Sequence, residues 1–237
     1  MISNTKIIKK YYKPLMLFIL TGIITYFILH SKVIKNISHY DKRKLDINDI
    51  KTGDLFLLSY TRNIHLLVNA MLGMNFTHPS IALWEDGKLF MVEYAEYPVK
   101  YDGFLKIPFE EWIRFNKNTV ILKNSLFIKN DSIIKREILA NNILNTYYNY
   151  KEKFNNFDGN FNLNMYRFFL KYGNYKSIEK YKNPTCTEIL AFLICESGIA
   201  KKTKSLEYYQ PSKFIGFSGF DLNEEYNCKE NYIIDLK

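Results

Sequence analysis

The sequence predicts a mixed α+β domain that follows an apolar N-terminal segment. The strand-like runs are residues 54–60, 80–84, 89–96 and 120–128. The runs with helical periodicity are residues 132–148 and 185–197. The periodicity of the first run places six apolar residues on one side: Ile133, Ile134, Ile138, Leu139, Ile143 and Leu144. Strands followed by flanking helices indicate the α+β class. With 237 residues, of which 47% are hydrophobic, the chain is long enough for one packed domain and an appendage, and its composition excludes a disordered polyampholyte.

The positive charge is concentrated at the N-terminus. The chain carries a formal net charge of +9. Residues 1–44 hold nine basic residues and one acid, Asp41, so residues 45–237 keep 24 basic and 23 acidic residues, a net charge of +1. The excess flanks one apolar segment, which is a membrane pattern rather than the basic surface of a nucleic-acid-binding domain. We therefore expect no nucleic-acid partner.

Residues 14–29 contain no charged side chain and are predicted to cross a membrane as a single helix. A span needs about 20 apolar residues, with a minimum of about 17, and Tyr11, Tyr12 and His30 extend the stretch toward that length. The alternative is a cleaved signal peptide, whose apolar stretch is about 7–15 residues, but no small-x-small cleavage site follows Leu29. The sequence thus predicts a single-pass protein anchored in the lipid bilayer by its N-terminus.

These features divide the chain into an N-terminal anchor (residues 1–30), a basic tether (residues 31–48) and one domain without repeats (residues 49–237). The basic residues on the two sides of the span are too evenly balanced to choose its orientation. A glycosylation sequon, Asn75-Phe76-Thr77, lies close to the predicted site described below, where a glycan would interfere. This position favours a cytosolic domain.

Three cysteines, Cys186, Cys195 and Cys228, cannot all pair, and none has Cys-x-x-Cys spacing. A disulfide framework and a zinc site are therefore not expected, and we expect no other metal or cofactor. A reducing compartment is the simpler interpretation of this cysteine content.

Cys186 is predicted to begin a helix. The segment Thr185-Cys186-Thr187-Glu188 matches the capping box Ser/Thr-x-x-Glu ahead of an apolar run, so Thr185 is the N-cap and Cys186 the first helical residue. Unpaired backbone N–H groups and the positive end of the helix dipole favour a thiolate there. Cys195, which lies within the same helix among apolar neighbours, better fits the alternative of a buried, inert cysteine.

A cysteine nucleophile needs a base, and His78 is the best candidate among the four histidines. His30 and His39 belong to the anchor and the tether, and His65 lies in a short amphipathic helix predicted over residues 63–72. His78 precedes a strand. Its alternative role is that of an ordinary polar residue at a strand end.

The register of a predicted hairpin tests whether an acid accompanies His78. Asp86-Gly87 between two strand-like runs indicates a two-residue turn, in which the numbers of opposed residues sum to 173. His78 and Glu93 then lie diagonally on one face of the sheet, about 7–8 Å apart between backbones, whereas Glu96 points to the other face. A three-residue turn with a bulge would reverse the choice between the two acids.

Six segments resemble the circularly permuted papain-fold cysteine hydrolases, the YiiX-like relatives of NlpC-type peptidases and lecithin retinol acyltransferase. They are Gly53-Asp-Leu-Phe56, Thr77-His-Pro-Ser-Ile-Ala82, Met91-Val-Glu-Tyr-Ala95 with Pro98-Val99, Glu110-Glu-Trp112, Thr185-Cys-Thr-Glu-Ile189 and Pro211-Ser-Lys-Phe214. The resemblance implies an antiparallel half-barrel sheet packed on the cysteine helix. It also implies a triad in which Cys186 is the nucleophile, His78 the base and Glu93 the group that orients the imidazole.

The sequence departs from this family in two places. Pro79 follows the histidine where the family usually has a small or β-branched residue, and proline removes a ladder donor. A long insertion at residues 149–183 obscures the Tyr-Asp motif that the family has before its cysteine. Tyr148 is the nearest match, and the resemblance implies for it a possible supporting or oxyanion role.

The function predicted from these features is a membrane-anchored cysteine hydrolase, either an amidase or peptidase or a thioesterase or acyltransferase, that works through an acyl-enzyme. Its expected substrate is a lipid or a peptide at the membrane. The alternative is a catalytically inactive, membrane-anchored interaction module on the same fold. The sequence makes no prediction about the oligomeric state.

Overall fold

The computed structural model describes residues 20–22, 24, 37–59, 76–95, 103–155 and 184–236. The chain divides into two compact units, residues 1–39 with 60–75 and residues 40–59 with 76–237. The described residues of the second unit form a seven-stranded sheet and three α-helices, so the predicted α+β class is confirmed. All neighbouring strands are antiparallel except the pair at one edge.

The elements follow one another in the order strands, helix, strand, helices, strand. The strands are β1 (Lys42–Lys44), β2 (Leu55–Ser59), β3 (His78–Glu85), β4 (Lys88–Ala95), β5 (Gly103–Pro108), β6 (Val120–Ile128) and β7 (Tyr226–Asp235). The helices are α1 (Phe109–Asn116), α2 (Ile133–Asn155) and α3 (Cys186–Glu196). Across the sheet the strand order is β1-β7-β6-β2-β3-β4-β5. β2 and β3 lie side by side in the middle and are almost fully buried.

The hairpin β3–β4 has the predicted register. Asp86 and Gly87 connect the strands with φ angles of 50° and 71°, and this pair of positive angles matches the right-handed twist of a two-residue hairpin. Ile81 lies opposite Val92, and Glu85 opposite Lys88. The alternative three-residue turn is therefore excluded.

Aromatic side chains attach the helices to the two faces of the sheet. On one face, the Phe56 ring of β2 contacts Phe109 and Trp112 of α1, with centroids 6.1 and 5.7 Å apart. On the other face, Phe104 of β5 contacts Phe154 of α2 at 5.4 Å. Phe154 in turn contacts α3, so α2 and α3 pack together. Aromatic pairs at these distances add to the burial that holds both layers.

The N-terminal part of α2 differs from the prediction. The pattern placed Ile133, Ile134 and Ile138 on the same side as Leu139 and Ile143, but the three isoleucines are 79%, 68% and 54% exposed, whereas the other two residues are fully buried. At about 100° per residue, the three isoleucines point roughly 100–140° away from Leu139. The buried stripe is therefore narrower than the apolar composition of this segment indicated.

The structure describes four residues of the predicted anchor and residues 37–48 of the predicted tether. Among the described residues, no helix is both long and apolar enough to cross a membrane. Most of the predicted span 14–29, the predicted helix 63–72 and residues 156–183 lie outside the described residues. β1 falls within the predicted tether and pairs in parallel with β7, so the sheet begins before residue 49.

A buried ion pair joins β6 to the turn before β2. Lys123 Nζ lies 2.9 Å from the Asp54 carboxylate, and both side chains are at most 3% exposed. Lys123 also donates to Ser125 Oγ (2.7 Å), while Asp54 accepts from the backbone N–H groups of Leu126 (2.9 Å) and Lys51 (3.0 Å). Burial raises the pKa of the Asp54 carboxyl group, and Lys123 opposes this effect. Each charge is therefore tolerated because the other is present.

We expect Lys123→Met to destabilise the protein by about 3–5 kcal/mol, because it leaves the Asp54 carboxylate buried without a counter-charge. Lys51→Met is the control, since the Lys51 ammonium belongs to an exposed pair with Asp131, which is expected to contribute at most about 1 kcal/mol. Urea unfolding of the full chain measures both. Equal losses for the two variants would contradict a structural role for the buried pair.

Candidate active site

The centre of the candidate site is the carboxylate of Glu93, which is only 7% exposed. Its Oε2 atom accepts hydrogen bonds from Ser80 Oγ (2.6 Å) and Trp112 Nε1 (2.7 Å). The Nε2 atom of His78 lies 3.3 Å from the same oxygen. The donors come from β3 and from α1, so one buried acid connects two elements that are separate in the chain.

The environment favours the ionised form of Glu93. Burial by itself raises the pKa of this carboxyl group, but the charge of protonated His78 and the hydrogen bonds from His78, Ser80 and Trp112 lower it by more. The resulting pKa lies below the usual range for glutamate. A carboxylate in this state can hold the imidazole in one orientation and stabilise its protonated form.

His78 and Glu93 meet because of the hairpin register. The predicted diagonal relation places both side chains on the face that α1 covers, and the observed Nε2–Oε2 distance agrees with it. The His78 side chain keeps 14% of its surface exposed. Because Glu93 engages Nε2, the other ring nitrogen, Nδ1, is the atom on the far side of the imidazole.

Pro79 lies near the start of β3, a strand that has neighbours on both sides, and it limits the pairing with only one of them. The Ala82 N–H group donates to the backbone carbonyl oxygen of Asp54, on the β2 side of the strand (2.8 Å). Because N–H groups alternate in direction along a strand, the odd-numbered residues of β3 direct their nitrogens to β4. The pairing of β3 with β4 begins only at Ile81. Pro79 has no N–H group to donate to β4, so that ladder stops short of Pro79, whereas the pairing with β2 continues through Pro79 to His78.

Cys186 begins α3, and the predicted capping box is confirmed. The Glu188 N–H group donates to Thr185 Oγ1 (3.3 Å), and the Thr185 N–H group donates to the Glu188 carboxylate (2.6 Å). Cys186 is half-buried, and its Sγ lies 4.0 Å from the carbonyl oxygen of Thr77, the residue before His78. The helix N-terminus thus meets the start of β3 through the backbone. A hydrogen bond between Cys186 and the imidazole stays a prediction.

The other two cysteines lie in environments that oppose ionisation. Burial, with a contribution from Glu196, raises the pKa of Cys195 to about 12. Burial also raises the pKa of Cys228. Because the thiolate is the reactive form of cysteine, these two residues are poor nucleophiles at neutral pH.

The structure does not bring Tyr148 to this site. This residue of α2 is 55% exposed, and its hydroxyl accepts a hydrogen bond from Lys106 Nζ (3.0 Å). Lys106 lies opposite Val92 on the sheet, on the face that does not carry Glu93. Tyr148 is therefore separated from Glu93 by the sheet.

Trp112 is the site residue that the sequence interpretation missed as a hydrogen-bond partner. It is 1% exposed, and its indole N–H can be satisfied only by an acceptor within the core. The segment Glu110-Glu111-Trp112 contained this signal, because a buried tryptophan needs such an acceptor. The contact of Ser80 with Glu93 could be predicted from the hairpin, because the numbers of opposed residues sum to 173 and this sum relates Ser80 to Glu93.

Among the described residues, no group of three or more histidine, cysteine, aspartate or glutamate side chains is arranged to hold a metal ion. No protein-family model matches the chain, and no curated protein matches it. A solved structure described as the metalloprotein yiiX from Escherichia coli O157:H7 is a structural neighbour with 11% sequence identity and a TM-score of 0.44. The alignment covers 80% of this chain and 98% of that chain. At this identity and TM-score, the likeness assigns neither a family nor an activity to this chain.

We expect Glu93→Gln to lower the stability at neutral pH by roughly 1–3 kcal/mol, because it removes the charge opposite His78 and alters a buried hydrogen-bond network. Since the pKa of Glu93 is lowered by folding, its contribution is complete above the unfolded value of about 4.3 and is lost as the pH falls through the folded value. Urea titrations of wild type and variant should therefore converge only as the pH falls below the folded-state pKa, which is lower than the unfolded one. The exposed Glu110→Gln is the control, and a pH-independent difference for Glu93→Gln would contradict a lowered pKa.

Proposed function

We propose that the protein is a cysteine hydrolase or acyltransferase, a distant member of the permuted papain-fold group, with Cys186, His78 and Glu93 as its triad. The observation that carries this proposal is the buried His78–Glu93 pair at 3.3 Å, at the start of the strand whose preceding residue contacts the Cys186 sulfur. A histidine oriented by a carboxylate beside a cysteine at a helix N-terminus is an arrangement that activates a nucleophile.

The proposed reaction uses the two sides of the imidazole differently. Glu93 binds Nε2, so Nδ1 takes the proton from the Cys186 thiol. The thiolate attacks the carbonyl carbon of an amide or ester, and the carbonyl oxygen becomes an oxyanion that N–H groups of the first turn of α3 stabilise. The imidazolium then protonates the leaving amine or alcohol, and the acyl group stays on sulfur. Water or another acceptor attacks the thioester, gives its proton to His78, and restores the thiol.

The proposed substrate is a lipid or a membrane-bound peptide. This part of the proposal rests on the uncharged residues 14–29 and the basic residues that flank them, which support a bilayer anchor. An anchor would raise the local concentration of substrates that lie in the same membrane. The sequon next to the site supports a cytosolic domain.

A second candidate is a catalytically inactive interaction module on the same fold. The observation that favours it is the contact of Cys186, whose sulfur lies against the Thr77 carbonyl oxygen. In this case, His78 and Glu93 have only a structural role, in which Glu93 accepts the hydrogen bonds of buried donors beneath α1.

The first test of the enzyme proposal compares the three cysteines. With limiting iodoacetamide at neutral pH, we expect Cys186 to be alkylated at least about ten times faster than Cys195 or Cys228, because burial raises the pKa of the other two thiols. Peptide mapping by mass spectrometry measures the three rates, and unfolded protein provides the reference for intrinsic reactivity. Equal rates in the folded protein would contradict an activated thiol.

The second test removes the proposed base. We expect His78→Ala to slow the reaction of Cys186 with an electrophilic acyl probe by about 100-fold, which is the lower range of general-base catalysis. His39→Ala is the matched control, because His39 is exposed and belongs to the other unit. Unchanged labelling of His78→Ala, with its fold retained, would favour the inactive module.

A further inference from the structure

Two lysines and a tyrosine converge in the segment that follows α3. Tyr208 ends a short 3-10 helix (Leu206–Tyr208), and Lys213 lies in a second one (Pro211–Phe217). The Nζ atoms of Lys204 and Lys213 lie 4.3 and 5.1 Å from the centroid of the Tyr208 ring. We name these three residues the lysine–tyrosine cluster. None of them belongs to the proposed triad.

The backbone at Gly219 holds both lysines in place. The Lys204 ammonium donates to the Gly219 carbonyl oxygen (3.1 Å), and the Gly219 N–H group donates to the Lys213 carbonyl oxygen (2.8 Å). A Cβ atom on Gly219 would lie 2.4 Å from the Cβ atom of Lys213. The lysine stem therefore packs directly on the glycine backbone, and a larger residue at position 219 would displace it. Two ammonium groups are thus positioned before any ligand binds.

Among the carboxylates whose side chains the structure describes, a set that does not include Glu207, none lies within ion-pair distance of Lys204 or Lys213, and both lysines are partly buried. Two other partly or fully buried lysines have such partners, since Lys106 pairs with Glu85 and Lys123 pairs with Asp54. A positive charge that is partly withdrawn from water is normally compensated. The two ammonium groups of the lysine–tyrosine cluster converge on one phenol, and a bound anion can neutralise them.

The two ammonium groups affect the ionisation of Tyr208. Burial raises the pKa of its phenol, but the hydrogen bonds and charges of Lys204 and Lys213 together outweigh that effect and lower the pKa below its ordinary value. The phenol O–H therefore lies where the two ammonium groups favour negative charge, and it can donate a hydrogen bond to a bound anion.

We propose that the lysine–tyrosine cluster is a binding site for a phosphate group, held by the ammonium groups of Lys204 and Lys213 and by the Tyr208 hydroxyl. Phosphate carries enough oxygens to accept from all three donors, and lysine binds it as a point charge without strict geometry. The phosphate can come from a lipid headgroup or from a free phosphate ester, and both present the same oxygens to the site. This proposal does not depend on the activity of Cys186.

Titration of the full chain in uncharged detergent with inorganic phosphate, at constant ionic strength, tests the site. We expect saturable binding by calorimetry that weakens about 10- to 100-fold in Lys204→Met and in Lys213→Met, because each loses one charge-assisted hydrogen bond. Tyr208→Phe should weaken binding by about 2- to 10-fold. Gly219→Ala keeps every charge but displaces Lys213, and it should also weaken binding.

Lys202→Met is the matched control, because it removes one positive charge from the same segment but from a lysine already paired with Glu196 (2.7 Å). Its phosphate affinity should equal that of wild type. Absence of saturable binding by wild type would overturn the proposal, and so would an equal loss in Lys202→Met and Lys204→Met, which would show unspecific attraction. Circular dichroism of each variant confirms that the fold is retained.

Monomeric dihexanoyl phosphatidic acid distinguishes the two sources of the phosphate. Tighter binding of this lipid than of inorganic phosphate supports the site and assigns it to a headgroup. Equal binding supports the site and assigns it to soluble phosphate esters. Binding of the lipid that is unchanged in the Lys204→Met and Lys213→Met double variant would overturn the site for both sources.

Discussion

The buried carboxylate of Glu93 is the constraint on which the candidate site depends. A carboxylate that is removed from water is tolerated only if its oxygens accept hydrogen bonds from fixed donors. Here one oxygen receives donors from Ser80 and Trp112 and lies 3.3 Å from the His78 ring. The docking of α1 on the sheet, the orientation of the imidazole and the ionisation of the acid are therefore one coupled arrangement. Loss of any donor leaves the buried charge with fewer hydrogen bonds. This destabilises the fold more than replacing the whole network by apolar groups would.

This arrangement depends in turn on a two-residue turn. Asp86 and Gly87 adopt positive φ angles, and in the resulting register, with Ile81 opposite Val92, the Ser80 hydroxyl reaches Glu93 (2.6 Å). A slip of one residue would move the carboxylate to the other face of the sheet. There it would lose Ser80 and Trp112, which donate to it in the observed register. The cost of that alternative explains why a local turn can determine the geometry of a site that lies several residues away.

The confirmed predictions concern residues that are close together in the sequence. The predictions that differ from the structure concern contacts between residues that are far apart in the sequence. The capping box at Thr185 and the hairpin turn follow from residues within a few positions of one another, and the structure confirms both. The periodicity of α2 also predicted a helix, but periodicity alone does not show which part of an apolar stripe finds a partner, so Ile133 proved to be exposed. Tyr148 was placed by position relative to the cysteine, and the sheet separates it from Glu93.

The sequence by itself determined the separation of an apolar, basic N-terminal segment from a nearly neutral domain, the helix that Cys186 begins and the face on which His78 and Glu93 lie. These features depend on composition, on the helix cap at Thr185 and on the alternation of side chains along a strand. Each of these can be read from residues that are close together in the sequence. Only the tertiary structure decided that Trp112 completes the Glu93 network, that the Cys186 sulfur meets the Thr77 backbone, and that Lys204 and Lys213 converge on one phenol. Such contacts join residues that are far apart in the chain or in different turns, and the packing of the whole domain selects which of the many possible pairs are formed.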